Sequence, residues 1–309
     1  MKVTHHKGLF ADRYFDVRAT RYAHLSAGAI LLYDHATTLD QEISLIWQGP
    51  RSIGKYLFLV NRYYAVLATM FDFYGLFSAP DTISVSYTFY RWQACSSIVV
   101  IILAQAILQL RVYALYTKNK RVLCTMGILF ILSISLATIV MGSILSRLKV
   151  LSIPVPLLGR FCQIDTHRSS ESYAFWIPAI AFDNFLSALA IYKSFRLRKS
   201  FAKPVFHQTG EKMVEIFFRD SAIYFCLITA TYVTCMVMWV VVPQHTEVPL
   251  GFAFAFPCVV SNRMVLNLRG IRQRSEAQNT INATPMNYAG TSPSFGFEIP
   301  RQEDTYLSG

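Results

Sequence analysis

Three stretches of this chain run for a full membrane thickness without an Asp, Glu, Lys or Arg: those between Arg91 and Arg111, between Arg121 and Arg147, and between Asp220 and Glu247. A helix rising about 1.5 Å per residue needs roughly 20 such residues to cross a hydrocarbon layer. Three further apolar stretches, at 53–77, 173–192 and 248–268, are interrupted or bounded by a few polar groups, and a seventh, at 19–38, is the most polar. The pattern predicts an all-α, polytopic membrane protein with seven transmembrane helices. Residues 1–18 then form an N-terminal segment, 19–270 the helical domain, and 271–309, rich in Ser, Thr, Asn, Gln, Gly and Pro, a disordered tail.

Composition agrees with that division. Of 309 residues, 53% are apolar and 15% charged, too apolar for a soluble domain of this length, whose helices keep a polar face. The first Met precedes a charged, His-bearing stretch without an apolar core or a small-residue cleavage site, so the first helix is expected to stay as an anchor.

Charge sets an orientation. With the N-terminus outside, the inner side holds Arg51 and Lys55, then Arg111, Lys118, Lys120 and Arg121, the basic segment 193–219, and finally Arg263, Arg269, Arg272 and Arg274. The outer side holds fewer Lys and Arg, which favours an N-out, C-in, receptor-like topology, although the basic N-terminus opposes it. The net charge of +11 is then accounted for by loops beside anionic lipid headgroups, and nucleic acid is not an expected partner. Segment 193–219 and the tail are the candidate surfaces for a cytoplasmic partner, and the plasma membrane is the default location for this topology.

Two of six cysteines, Cys95 and Cys162, fall where an oxidising exterior would reach them. A disulfide between them would tether the loop 146–172 to the third helix, the alternative being two free thiols. No CxxC or HExxH spacing points to a metal, and no GxSxG elbow or Gly-rich phosphate loop points to a cofactor or an enzyme. The sequon Asn282-Ala283-Thr284 falls in the tail, on the inner side.

Ionisable groups inside hydrocarbon need a partner or a wet cavity. Asp34 and Glu42 lie eight residues apart, about two helical turns along one face, and the second helix brings Asn61 and Arg62 to a comparable depth. An ion pair from Asp34 or Glu42 to Arg62 would clamp the two helices, or act as a switch broken on activation. Asp183 and Asn184 follow Pro178 by five and six residues and would either line a ligand cavity or bond a neighbouring helix. Arg111 and Tyr113 close the third helix and form a candidate inner contact, while 261–269 reads as an amphipathic exit along the inner interface.

Tyr33-Asp34, Thr38-Leu39, Glu42, Trp47, Phe58 and Asn61-Arg62-Tyr63, spread over 22–66, make this part of the chain similar to a fungal membrane family known only as a domain of unknown function, numbered six-five-three-three. The segments 110–116 and 266–269 also resemble it. The resemblance implies a seven-helix membrane protein without an established activity. A receptor-like signalling protein for an unknown ligand is the leading expectation by architecture, although Leu110-Arg111-Val112-Tyr113 stands where the common receptor class carries an acidic-Arg-Tyr triplet. A small transporter or intramembrane enzyme using Asp34, Arg62 and Asp183, and a structural scaffold, are the alternatives.

Overall fold

The computed structural model describes residues 2–77, 83–147, 150–155, 159–164, 172–201, 208–242 and 245–283. Helix α1 runs Lys2–Thr37, and a short α2, Leu39–Glu42, leads into a π-helical turn, Ile43–Trp47. Helices α3, Ile53–Phe77, α4, Ile83–Leu115, and α5, Lys120–Arg147, follow. A two-stranded antiparallel hairpin, β1 Val150–Val155 and β2 Gly159–Ile164, precedes a 3₁₀ turn, Ser172–Phe175, and α6, Trp176–Phe201. Helices α7, Gln208–Val241, and α8, Leu250–Ala283, complete the chain. The first compact unit ends at Ile271.

Five of these helices are long and apolar enough to cross a membrane: Tyr87–Leu115, Lys120–Arg147, Ser172–Arg196, Ile223–Val241 and Leu250–Ala277. This is a multi-pass membrane protein. Its outer surface agrees, since α5 turns Ile128, Ile131, Leu132, Leu136 and Ile139 outward, and a belt of large exposed apolar side chains is stable against lipid, not water.

The two remaining long helices are built the other way round. On α1 the buried stripe is Thr20, His24, Ala27, Leu31 and Asp34, at helical spacing, whereas Tyr22, Leu25, Leu32 and Tyr33 face out. On α3, Asn61, Arg62, Ala65, Ala68 and Asp72 face in, and Val60, Leu67, Met70, Phe71 and Tyr74 face out. Polar groups turned inward lower the average hydropathy of a helix without exposing a charge to lipid.

The main core joins α4, α5, α6, α7 and the start of α8 around Trp176, Leu186, Tyr224, Ile228, Tyr232, Leu108 and Met126. A smaller cluster of Ala27, Leu31, Ala65, Ala255, Cys258 and Val259 packs α1, α3 and α8 together. Between α4 and α5, Thr117 and Lys118 take left-handed backbone angles, φ 52° and 60°, and Lys118 N–H closes the helix end on Tyr113 O at 3.2 Å.

Several expectations change here. Helix α1 begins at Lys2, so the described part of the N-terminal segment 1–18 is helical and continuous with the first helix. Helix α8 continues unbroken to Ala283, past the expected tail boundary at 270, with no separate exit helix, and within its last part Arg272 pairs with Glu276 one turn on at 2.7 Å. The rest of the expected tail, 284–309, and part of the basic segment, 202–207, lie outside the described residues. Pro178 sits in the first turn of α6, where its missing N–H breaks no bond, so it does not kink the helix near Asp183. The loop 146–172 contains the hairpin, with Ser152 opposite Cys162.

Cys95 carries a free thiol, which corrects the expected disulfide to Cys162. The register of α4 turns Gln93, Ala94, Ser96 and Ser97 inward and leaves Cys95 on the outward face. The side chain of Cys162 lies outside the described residues.

Candidate functional site

One end of the bundle is closed by a buried polar network across α1, α2, α3 and α8. Arg62 forms an ion pair with Glu42 at 2.7 Å, the two side chains being 2% and 0% exposed. The guanidinium also donates from Nη1 to Thr38 Oγ1 at 2.9 Å and from Nη2 to the carbonyl of His35 at 2.8 Å. Glu42 Oε1 accepts from Trp47 Nε1 and from the Tyr63 hydroxyl, both at 3.0 Å. A buried charge pair is tolerated when its remaining donors and acceptors are satisfied, and here His35, Thr38, Trp47 and Tyr63 supply four such bonds.

The π-helical turn makes this geometry possible. Its extra residue per turn brings Trp47 back over Glu42, and such insertions often mark functional sites. Carbonyls at its end are taken by cations from elsewhere: Lys55 Nζ reaches Trp47 O at 2.9 Å and Gly49 O at 3.2 Å, and Arg269 Nη1 reaches Leu45 O at 3.0 Å. Gly49 has no room for a side chain, because a Cβ would stand 2.7 Å from Leu45 O and 3.0 Å from Arg269 Nη1.

Asp34 turns elsewhere. Its carboxylate is 4% exposed and pairs with Arg263 of α8, and the side-chain amide of Asn61 donates to Ser261 Oγ at 3.1 Å and Asn262 Oδ1 at 3.0 Å. Beneath these contacts Ile46, Phe58 and Leu266 form a small apolar cluster. The first and last helices of the bundle are thus joined through α3 by charge and amide contacts.

At the other end, Tyr90, Gln93, Phe175, Trp239 and Glu247 help to line a cavity of about 80 Å³. Glu247 stands in the turn before α8, where Gln93 Nε2 donates to its Oε2 at 3.1 Å and His24 Nε2 meets its backbone carbonyl at 3.0 Å. Burial pushes the Glu247 carboxyl up to about 7, against the opposing pull of the Gln93 amide. Asp72, on α3, is 4% exposed, lies within electrostatic reach of Glu247, and has an Oδ1 without a hydrogen-bond partner. Trp239 is held by its own bond from Nε1 to Thr246 O at 3.1 Å and stands against Phe175 and Trp176.

Asp183 lies in the main core, where Gln105 of α4 donates to its Oδ1 at 3.1 Å, so it bonds a neighbouring helix and does not line the cavity. Asn184 faces out and returns its amide to Ile180 O at 2.9 Å. Arg111 is buried beside Tyr224, and Tyr113 is half-buried against the core. No group of three or more His, Cys, Asp or Glu able to hold a metal occurs among the described residues.

Of the two acids that the sequence offers to Arg62, the structure places Glu42 against it and sets Asp34 against a different arginine, Arg263. Arg263 read as one more inner-loop cation, and only the return of α8 alongside α1 reveals it as the partner of Asp34. Asp72, Gln93 and Glu247 were missed. Their one sequence signal is that two acids and an amide sit near the same ends of three apolar stretches.

Residues 22–67 match the model of a family of unknown function (DUF6533). No curated protein matches the chain. The matched segment holds Asp34, Thr38, Glu42, Trp47, Phe58, Asn61, Arg62 and Tyr63, whereas their α8 partners Ser261, Asn262 and Arg263 lie far beyond it.

Proposed function

We propose that the protein is a receptor-like, signalling membrane protein of seven crossing helices, N-terminus outside and tail in the cytoplasm. On this reading the cavity is its outer ligand site and the polar network its inner lock. One observation carries the proposal: the same three helices serve both ends. Helix α1 places His24 beside the Glu247 turn and Asp34 in the lock, α3 places Asp72 and Arg62, and α8 places Leu250 and Asn262. At about 1.5 Å per residue these pairs are roughly 15–18 Å apart along their helices, a span that rigid helices bridge directly.

The outward apolar faces of α1 and α3 support counting both as crossing helices beside the five apolar ones. A transporter using Asp34, Arg62 and Asp183 together is the poorer reading, because these groups pair with Arg263, Glu42 and Gln105 in three separate places.

Side-specific labelling of single cysteines tests the orientation and the class. A membrane-impermeant maleimide is expected to label Thr246→Cys from outside sealed cells and Ser52→Cys only after permeabilisation, while proteoliposomes show no uptake of small solutes above empty vesicles. The reverse labelling pattern, or solute uptake abolished by Arg62→Met, would overturn the proposal.

A further inference from the structure

We infer that the Glu247 cavity takes a small organic cation, a substituted ammonium group held between the Glu247 carboxylate and the aromatic wall. The inference rests on the ligand-site reading above and names the ligand's chemical class. Three features of the cavity lead to it.

The first is uncompensated acid. Glu247 receives one side-chain donor, a neutral amide, and Asp72 behind it keeps an unpartnered buried oxygen. Among the described residues no cationic group acts on either carboxylate, whereas Glu42 is met by Arg62 and Asp34 by Arg263; Asp183, like Glu247, is held by a neutral amide, Gln105, but does not line the cavity. Two neighbouring carboxyls without a cation are costly to bury, and a ligand's positive charge relieves both.

The second is the wall. Tyr90, Phe175 and Trp239 line the cavity together with Glu247, and the ring planes of Phe175 and Trp239 lie 22° apart with centroids at 6.4 Å. The face of an aromatic ring carries the negative end of its quadrupole, so it attracts an ammonium group and holds the apolar carbons around it. An anionic ligand would be repelled by the carboxylates, and a neutral one would leave them unrelieved.

The third is rigidity. Trp239 is fixed by Thr246 O and the Glu247 turn by His24, so the recognition groups are positioned before a ligand arrives. Met141, Ile144, Leu145 and Leu250 close the remaining wall, which suits methyl or methylene groups on the cation's nitrogen.

The full chain in lipid nanodiscs tests this with choline and with 3,3-dimethylbutan-1-ol, in which carbon replaces the charged nitrogen at nearly unchanged shape. Choline is expected to raise the unfolding temperature and quench Trp fluorescence saturably, while the neutral isostere binds at least about tenfold more weakly. Glu247→Gln, which keeps the Gln93 contact, and Trp239→Leu are each expected to weaken choline by about tenfold or more. Equal binding of the two probes to the unaltered protein, which needs no variant, overturns the cation assignment, as does no saturable response to choline. The neutral probe alone binding would leave the cavity as a ligand site and remove only its charge preference. Choline binding without any response at the lock would instead keep the cation site and remove the receptor reading.

Discussion

At the residue scale the Glu42–Arg62 pair, the most deeply buried ion pair among the described residues, offers the clearest test. Removing one partner strands the other charge in a site that is closed to water. Arg62→Met is therefore expected to cost about 3–5 kcal/mol of stability. The double variant Glu42→Gln/Arg62→Met should lose less than the sum of the two single changes, read by thermal unfolding in detergent. Arg263 is 54% exposed, so its contact with Asp34 is shared with solvent or headgroups. Arg263→Ala leaves the buried Asp34 carboxylate with access only from the side of the removed arginine, and should cost about 1–3 kcal/mol, less than Arg62→Met. Equal losses at Arg62 and Arg263 would contradict the difference in burial.

Glu247 gives a pH dependence at the same scale. Its folded-state carboxyl titrates at about 7, above the ordinary 4.5, because burial disfavours the charged form. The folded protein therefore holds this proton to higher pH than the unfolded chain does. The stability it contributes is complete below about pH 4.5 and is lost as pH rises to about 7. The groups facing it are Gln93, Asp72 and, through the backbone, His24; His245 in the same turn pairs with Asp16 at 3.2 Å. Unfolding temperatures across that window should fall less in Glu247→Gln than in the unaltered chain. Identical slopes would show that Glu247 titrates normally.

At the element scale, helix existence was legible and helix ends were not. The stretch 53–77 read from apolar content coincides with α3, and 121–147 lies within α5, because long runs without charge have few alternatives to a helix. The ends of α1 and α8 differ because polar sequence continues a helix at little cost once an apolar part has nucleated it. The π turn and the hairpin were not legible, since each depends on what packs over it. Two substitutions test these local devices. Lys118→Gly relieves a left-handed backbone at the end of α4 and should stabilise the protein by about 0.5–1 kcal/mol. Gly49→Ala forces a Cβ against Leu45 O and should displace Arg269, destabilising by about 1–3 kcal/mol. Opposite signs in thermal unfolding would contradict these assignments.

At the scale of the whole molecule, the matched family segment is half of a device. Its acids, Arg62 and Asn61 are set out within 22–67, but the lock closes only when α8 returns Ser261, Asn262 and Arg263 to them. No spacing in the sequence reports that return, which is why Asp34 and Arg62 looked like partners. The same return gives α1, α3 and α8 a contact at each end of the bundle, so a change at the cavity is mechanically placed to reach the lock. A scaffold needs both ends to be rigid and independent; a receptor needs them coupled.

The direct test is the labelling rate of Leu266→Cys by a hydrophilic thiol reagent in nanodiscs, with the exposed thiols Cys95, Cys124 and Cys226 replaced by Ser. Leu266 is 1% exposed beneath the lock, so the rate reports lock opening. Neutralising the cavity by Glu247→Gln at pH 8, or filling it with choline, is expected to change that rate several-fold relative to the unmodified cavity. An unchanged rate under both treatments, in protein that still labels faster when Arg62→Met breaks the lock, would contradict coupling between the two ends and leave the bundle as a scaffold.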